Sequence, residues 1–135
     1  MSSFILAAEY VADTVGLILY LEKSKLGNEA KKVFDVAENN QTIVHIPAMV
    51  LAEILYLSEK NRIKVSLADV AEHLKKHANF RECPMSQLIV EKASQIVDIP
   101  ELHDRLIAAT AFSLNAEIIT TDTKIQASQF VKTIW

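Results

Sequence analysis

Short apolar runs alternate along the chain with longer stretches in which apolar residues recur every three or four positions. The short runs predict strands and the longer ones amphipathic helices. A first strand is expected at Tyr10 to Asp13, with a backward extension toward Phe4 left open. Leu17, Ile18 and Leu21 follow at helical spacing. A second helix reads from Asn28 to about Glu38 on the stripe Ala30, Val33, Phe34 and Ala37, and Asn39-Asn40 ends it. Residues 42–46 read as a buried strand. Pro47 then suits the opening of a helix, since its missing N–H is harmless in a first turn. That helix is expected from Ala48 to about Lys60, carrying Val50, Leu51, Ile54, Leu55 and Leu57.

Ser66 and Ser86 are placed as N-caps. The first opens a helix with Leu67, Val70, Ala71 and Leu74, and the second one running to about Val97, beyond which Pro100 blocks continuation. Between them, 80–83 reads as a short strand closed by Pro84. An Ala-rich helix over 102–114 and strands at 118–121 and 131–134 complete the pattern. Strands separated by helices imply crossover connections and a mainly parallel sheet covered on both faces, an α/β fold. Ligands of such sheets gather beyond the carboxyl ends of the strands.

Composition narrows the setting. The 135 residues are expected to form one domain, 1–135, and 50% of them are hydrophobic, enough for a real core. Cys83 is the only cysteine, so an internal disulfide is excluded and a reduced, cytoplasmic location is expected. The apolar run from Phe4 to Ala8 is cut by Glu9 and preceded by no basic residue, so neither a signal peptide nor a membrane span is expected. The formal net charge is −3. Binders that rely on neutralising phosphates carry a basic excess, which this chain lacks. Contact with RNA would therefore depend on local basic residues and bound metal.

Four acids stand where they need a reason. Asp13 and Asp122 each follow an apolar strand, pointing to one rim of the sheet; each could also simply cap the next helix. Glu53 lies at about 100° per residue beside the stripe of Val50, Ile54 and Leu57. There a carboxylate must snorkel to water, find a basic partner, or bind metal. Asp104 shares a face with Ile107, Ala108 and Ala111, whose small side chains allow a close approach to the sheet; an acid in a first turn also complements the helix dipole. Converging carboxylates repel one another unless a cation intervenes, and Mg2+ or Mn2+ suits an all-oxygen donor set. Phosphodiester hydrolysis is the chemistry this implies.

These residues also carry a resemblance. Tyr10-Val11-Ala12-Asp13-Thr14, followed by the apolar Leu17 to Leu21, resembles the opening motif of PIN-domain toxins of the VapC type. Pro47 with Val50-Leu51-Ala52-Glu53-Ile54 is similar to their second motif. The most specific match is His103-Asp104-Arg105-Leu106-Ile107-Ala108-Ala109-Thr110-Ala111, which resembles the third, and Ile118-Ile119-Thr120-Thr121-Asp122 resembles the fourth. The resemblance implies a three-layer α/β/α fold and an Mg2+- or Mn2+-dependent ribonuclease held by Asp13, Glu53, Asp104 and Asp122. It implies cleavage of RNA to a 5′-phosphate and a 3′-hydroxyl, a cognate antitoxin as partner, and a homodimer. Thr14 and Thr121 would be hydroxyls that orient carboxylates or water. The chain departs from the pattern at Lys124, where many members have a further acid, and in an apparent extension over its first eight residues.

Arg105 and Lys124 adjoin the site and are candidates for RNA phosphates, or for ordinary surface pairing. His103 is left outside the catalytic set. His73 and His77 have the i, i+4 spacing of a metal-binding helix but no third ligand in sequence, so a solvated helix face is expected. Gly16 and Gly27 are the only glycines, which excludes a Gly-rich phosphate loop. Two other classes compete with the nuclease: a catalytically silent PIN module acting as an RNA- or protein-binding scaffold, and a phospho-acceptor receiver domain. The dispersal of the acids speaks against the latter.

Overall fold

The computed structural model describes residues 9–135; the proposed extension toward Phe4 lies outside them. Its centre is a five-stranded parallel sheet in the order β3-β2-β1-β4-β5. The strands are β1 (Glu9–Ala12), β2 (Ile43–Pro47), β3 (Phe80–Cys83), β4 (Glu117–Ile119) and β5 (Thr133–Ile134). The helices are α1 (Thr14–Leu21), α2 (Asn28–Glu38), α3 (Ala48–Glu59), α4 (Leu67–Lys76), α5 (Gln87–Gln95), α6 (Leu102–Leu114) and the single turn α7 (Thr123–Gln126). The mixed α/β parallel fold is therefore the one expected.

Parallel strands covered on both faces read as continuous apolar runs because each side chain, whichever way it points, meets a helix. Tyr10, Val11 and Ala12 of β1 and Ile118 and Ile119 of β4 are all fully buried. On one side Phe34 of α2 stacks on Tyr20 of α1, and Tyr20 on Phe80 of β3, with ring centroids 4.2 and 5.4 Å apart. On the other side α6 packs along β1 and β4 and pairs with α5. Its Ala108, Ala109 and Ala111 are wholly buried, which is how small residues bring a helix close to a sheet.

Several expected boundaries shift. α5 stops at Gln95 rather than near Val97, and the turn that follows sends Ile96 and Ile99 into the core while Val97 is 82% exposed. Of the apolar residues expected on α3, Val50 and Ile54 are buried, Leu57 is half-buried and Leu55 is exposed. β4 ends at Ile119 and β5 begins at Thr133, both shorter than the apolar runs that suggested them. His73 is half-buried, its ring set edge-on against Phe80 at 4.6 Å and Tyr20 at 5.2 Å, not on a solvated face. Among the described residues no helix is long and apolar enough to cross a membrane.

Strand order fixes where chemistry is possible. β1 is central: its register partners are β2 on one side and β4 on the other. At its carboxyl end, neighbouring connections depart in opposite directions and leave a crevice.

Candidate active site

Asp13 leaves β1 at that crevice and is the N-cap of α1, where its Oδ1 accepts a 2.7 Å hydrogen bond from the Gly16 N–H. Asp122 stands beyond the end of the adjacent β4 as the N-cap of α7, its Oδ1 accepting from Lys124 and Ile125 N–H at 2.8 and 3.2 Å. Ala12 pairs with Ile119 in register, so the two acids follow neighbouring strand ends. Capping and convergence are thus compatible: the cap bonds aim each carboxylate at the rim. Gly16 makes this approach possible. A Cβ there would lie 2.9 Å from Asp13 Oδ1 and 3.1 Å from the Ile119 carbonyl oxygen.

Glu53, half-buried on α3, is held by Thr14, whose hydroxyl donates to Glu53 Oε1. Thr14 therefore orients one acid of the group while opening the helix that Asp13 caps. Asp104 enters from the first turn of α6 and is also half-buried. Glu101 is the N-cap of α6, accepting from His103 and Asp104 N–H. Burial works against its charge, yet those two N–H groups, with His103 and Arg105, hold its carboxyl below the usual range. Glutamate is a poor N-cap by statistics, so only the fold reveals this fifth acid beside Asp104.

The hydroxyl bonded to Asp13 is that of Thr120, not Thr121. Thr120 is fully buried and Thr121 is exposed. Ile118 and Ile119 are both buried, so the strand offers no inside-outside alternation from which the right hydroxyl could be chosen. Lys124 is exposed on α7. Arg105 is half-buried, its Nε enclosed without a hydrogen-bond partner, and its charge acts on Glu101. His103 Nδ1 lies 3.7 Å from Glu53 Oε2 and 3.8 Å from Glu101 Oε1.

Electrostatics tie the four acids together. Burial pushes the Asp13 carboxyl up to about 6; hydrogen bonds from Thr120 and Gly16 pull it down, and the charges of Asp122 and Glu53 raise it further. Asp104 is likewise raised to about 6, by burial first, then by Asp122, Glu101, Glu53 and Asp13. Asp104 senses the charges of all three other predicted acids and Asp13 those of Asp122 and Glu53, as scattered surface groups would not. Among the described residues, no three His, Cys, Asp or Glu side chains are already gathered as a metal-binding group. The donor chemistry nevertheless fits a hard divalent cation: every predicted ligand is a carboxylate, and two resist ionisation because they are buried and face like charges.

The PIN domain family model matches residues 10–130. The chain belongs to the PIN domain family. Solved structures share this PIN fold at low identity. A VapBC2 complex from Rickettsia felis, bound to a DNA fragment from its promoter, aligns with a TM-score of 0.71 at 17% identity, covering 94% of this chain and 98% of that one. DNA-bound VapBC from Salmonella typhimurium gives 0.69 at 14% identity over 95% and 98%. FitAcB from Neisseria gonorrhoeae gives 0.64 at 18% over 93% and 96%. No curated protein matches the chain. In this PIN domain the matched segment contains all four predicted acids and the three threonines discussed with them, Thr14, Thr120 and Thr121.

Proposed function

We propose that this PIN domain is a metal-dependent endoribonuclease, the toxin of a type II toxin–antitoxin pair, acting in the cytoplasm. The observation that carries the reading is that Asp13 and Asp122 follow neighbouring strand ends at the switch point of the sheet, and that the charges of Asp122 and Glu53 bear on both Asp13 and Asp104. Those four residues would hold Mg2+ or Mn2+. When bound, the ion would supply a Lewis acid for the phosphodiester and offset the charge that develops on its oxygens. The chain's own groups set the stage: Thr14 fixes Glu53, Thr120 and Gly16 fix Asp13, and backbone N–H groups of α7 fix Asp122. Arg105 and Lys124 are assigned to the flanking RNA phosphates.

The likeness to VapBC and FitAcB structures supports an antitoxin as partner. An acidic crevice of this kind suits an arginine of the antitoxin, whose planar fork can match a carboxylate. Exposed Leu88, Val90 and Val97 offer apolar surface for a homodimer. The second reading, a silent scaffold, is favoured by Lys124 in place of a further acid and by the absence of a preassembled metal group among the described residues.

One comparison decides between them. Wild-type protein with Mn2+ is expected to cut single-stranded RNA and leave 5′-phosphate ends, and Asp13→Asn to lose at least about 100-fold of that rate, within the range for removing a transition-state electrostatic group. No cleavage by the wild type at any Mn2+ concentration leaves the scaffold, and equal cleavage by both proteins removes Asp13 from the proposed site.

A further inference from the structure

α3 brings more than Glu53 to the crevice. Met49, Ala52, Glu53, Tyr56 and Leu57, with His103 from α6, line an open groove of about 530 Å3. Glu53 and His103 belong both to its wall and to the surroundings of the carboxylate site, so the groove adjoins that site. Tyr56 is 55% exposed, and Lys60, one turn farther on, places its Nζ 5.6 Å from the ring centroid. From Met49 to Lys60 the helix rises about 16 Å.

A chain with net charge −3 and a crowd of acids at its site cannot draw RNA by phosphate attraction alone. It needs a contact indifferent to charge, and aromatic stacking is one. We propose that this groove seats an unpaired nucleobase next to the scissile phosphate, stacked on the ring of Tyr56. The proposal rests on the ribonuclease reading and deepens it. Tyr56 is then a positioning residue for substrate, the His103 ring meets the polar edge of the base, and Lys60 stands where the next phosphate of an extended strand passes. Single-stranded RNA is favoured because a paired base must first be unpaired and unstacked to enter.

The test is steady-state cleavage in Mn2+ of a fluorescent single-stranded RNA that the wild type cuts, with Tyr56→Ala and Tyr56→Phe compared. The same strand is also prepared with one abasic residue on either side of the cut. Tyr56→Ala is expected to raise KM about tenfold or more, with kcat within about twofold, and Tyr56→Phe to match wild type. An abasic residue on one side should impose a similar loss on the wild type and little further loss on Tyr56→Ala. Unchanged KM in Tyr56→Ala overturns the proposal, as does an equal loss on intact and abasic strands, which marks a structural defect. If Tyr56→Ala spares RNA kinetics but abolishes self-association or partner binding, the groove is a protein contact and the proposal falls. Cleavage indifferent to Tyr56 defeats only the groove; a wild type that cuts no RNA defeats the nuclease itself.

Discussion

Asp13 is 6% exposed, and in the metal-free protein its carboxyl holds a proton up to about pH 6, whereas an unfolded chain releases it near 3.8. Between those values the folded form binds more protons, so raising the pH through that window favours unfolding. Asp104 acts with the same sign, weakened by its exposure to solvent. Without metal, the protein should therefore be more stable near pH 5 than at pH 7 as far as these two groups decide it. Asp13→Asn keeps an oxygen for the Gly16 N–H but removes the buried charge. It is expected to raise the metal-free Tm at pH 7 by several degrees, from at most about 3 kcal/mol, and to flatten the dependence on pH. Thermal melts in EDTA at pH 5 and 7 check this; an Asn variant less stable than wild type at pH 7 would contradict it. A site residue whose removal stabilises the fold is retained for function.

At the scale of elements, the start of α1 is the tightest joint in the site. Asp13 caps the helix, Thr14 reaches across to α3, and Gly16 lies flush against the end of β4. A methyl at Gly16 would press on a backbone carbonyl 3.1 Å away, which cannot swing aside as a flexible side chain can. Gly16→Ala is expected to cost about 1–3 kcal/mol through overpacking and to displace Asp13, lowering Mn2+-dependent cleavage with it. A urea midpoint and an activity assay on one preparation check both halves. Preserved stability would show that α1 can slide away from β4. This glycine was visible in the sequence, three residues after the acid, but its role depends on a strand over 100 residues later.

On the scale of the whole molecule, the four acids come from four separate stretches of chain and are joined by the strand order β3-β2-β1-β4-β5. Beyond the edge strand β5 the chain is tied back to α2. The Trp135 carbonyl accepts from Ala30 N–H at 2.8 Å, and a Cβ on Gly27 would lie 2.2 Å from that oxygen, so β5 and the start of α2 are locked together. If the acids act as one site, a divalent ion should stabilise the entire fold by mass action, by about 2.7 kcal/mol at a hundredfold excess over Kd. The expected result is a Tm that rises with Mn2+ at pH 7.5, rises less at pH 5.5 where Asp13 and Asp104 hold their protons, and does not move in Asp13→Asn. An equal shift in that variant would place the ion elsewhere.

The order of strands and helices, the parallel α/β class and the placement of Asp13 and Asp122 after neighbouring strands were legible in the chain. Hydrophobic periodicity and capping chemistry are local properties, written within a few residues of where they act. Three features were not: that Thr120 rather than Thr121 bonds Asp13, that Glu101 stands beside Asp104, and that His73 is packed against aromatic rings. Glu101 is a local cap, three residues before Asp104, of a residue type that N-cap preferences pass over. The first and third depend on a neighbour brought in from another element or on which way a doubly buried strand faces. Local spacing carries no information about either. Tertiary packing alone decided those two, because burial and contact between elements depend on distance through space, not along the chain.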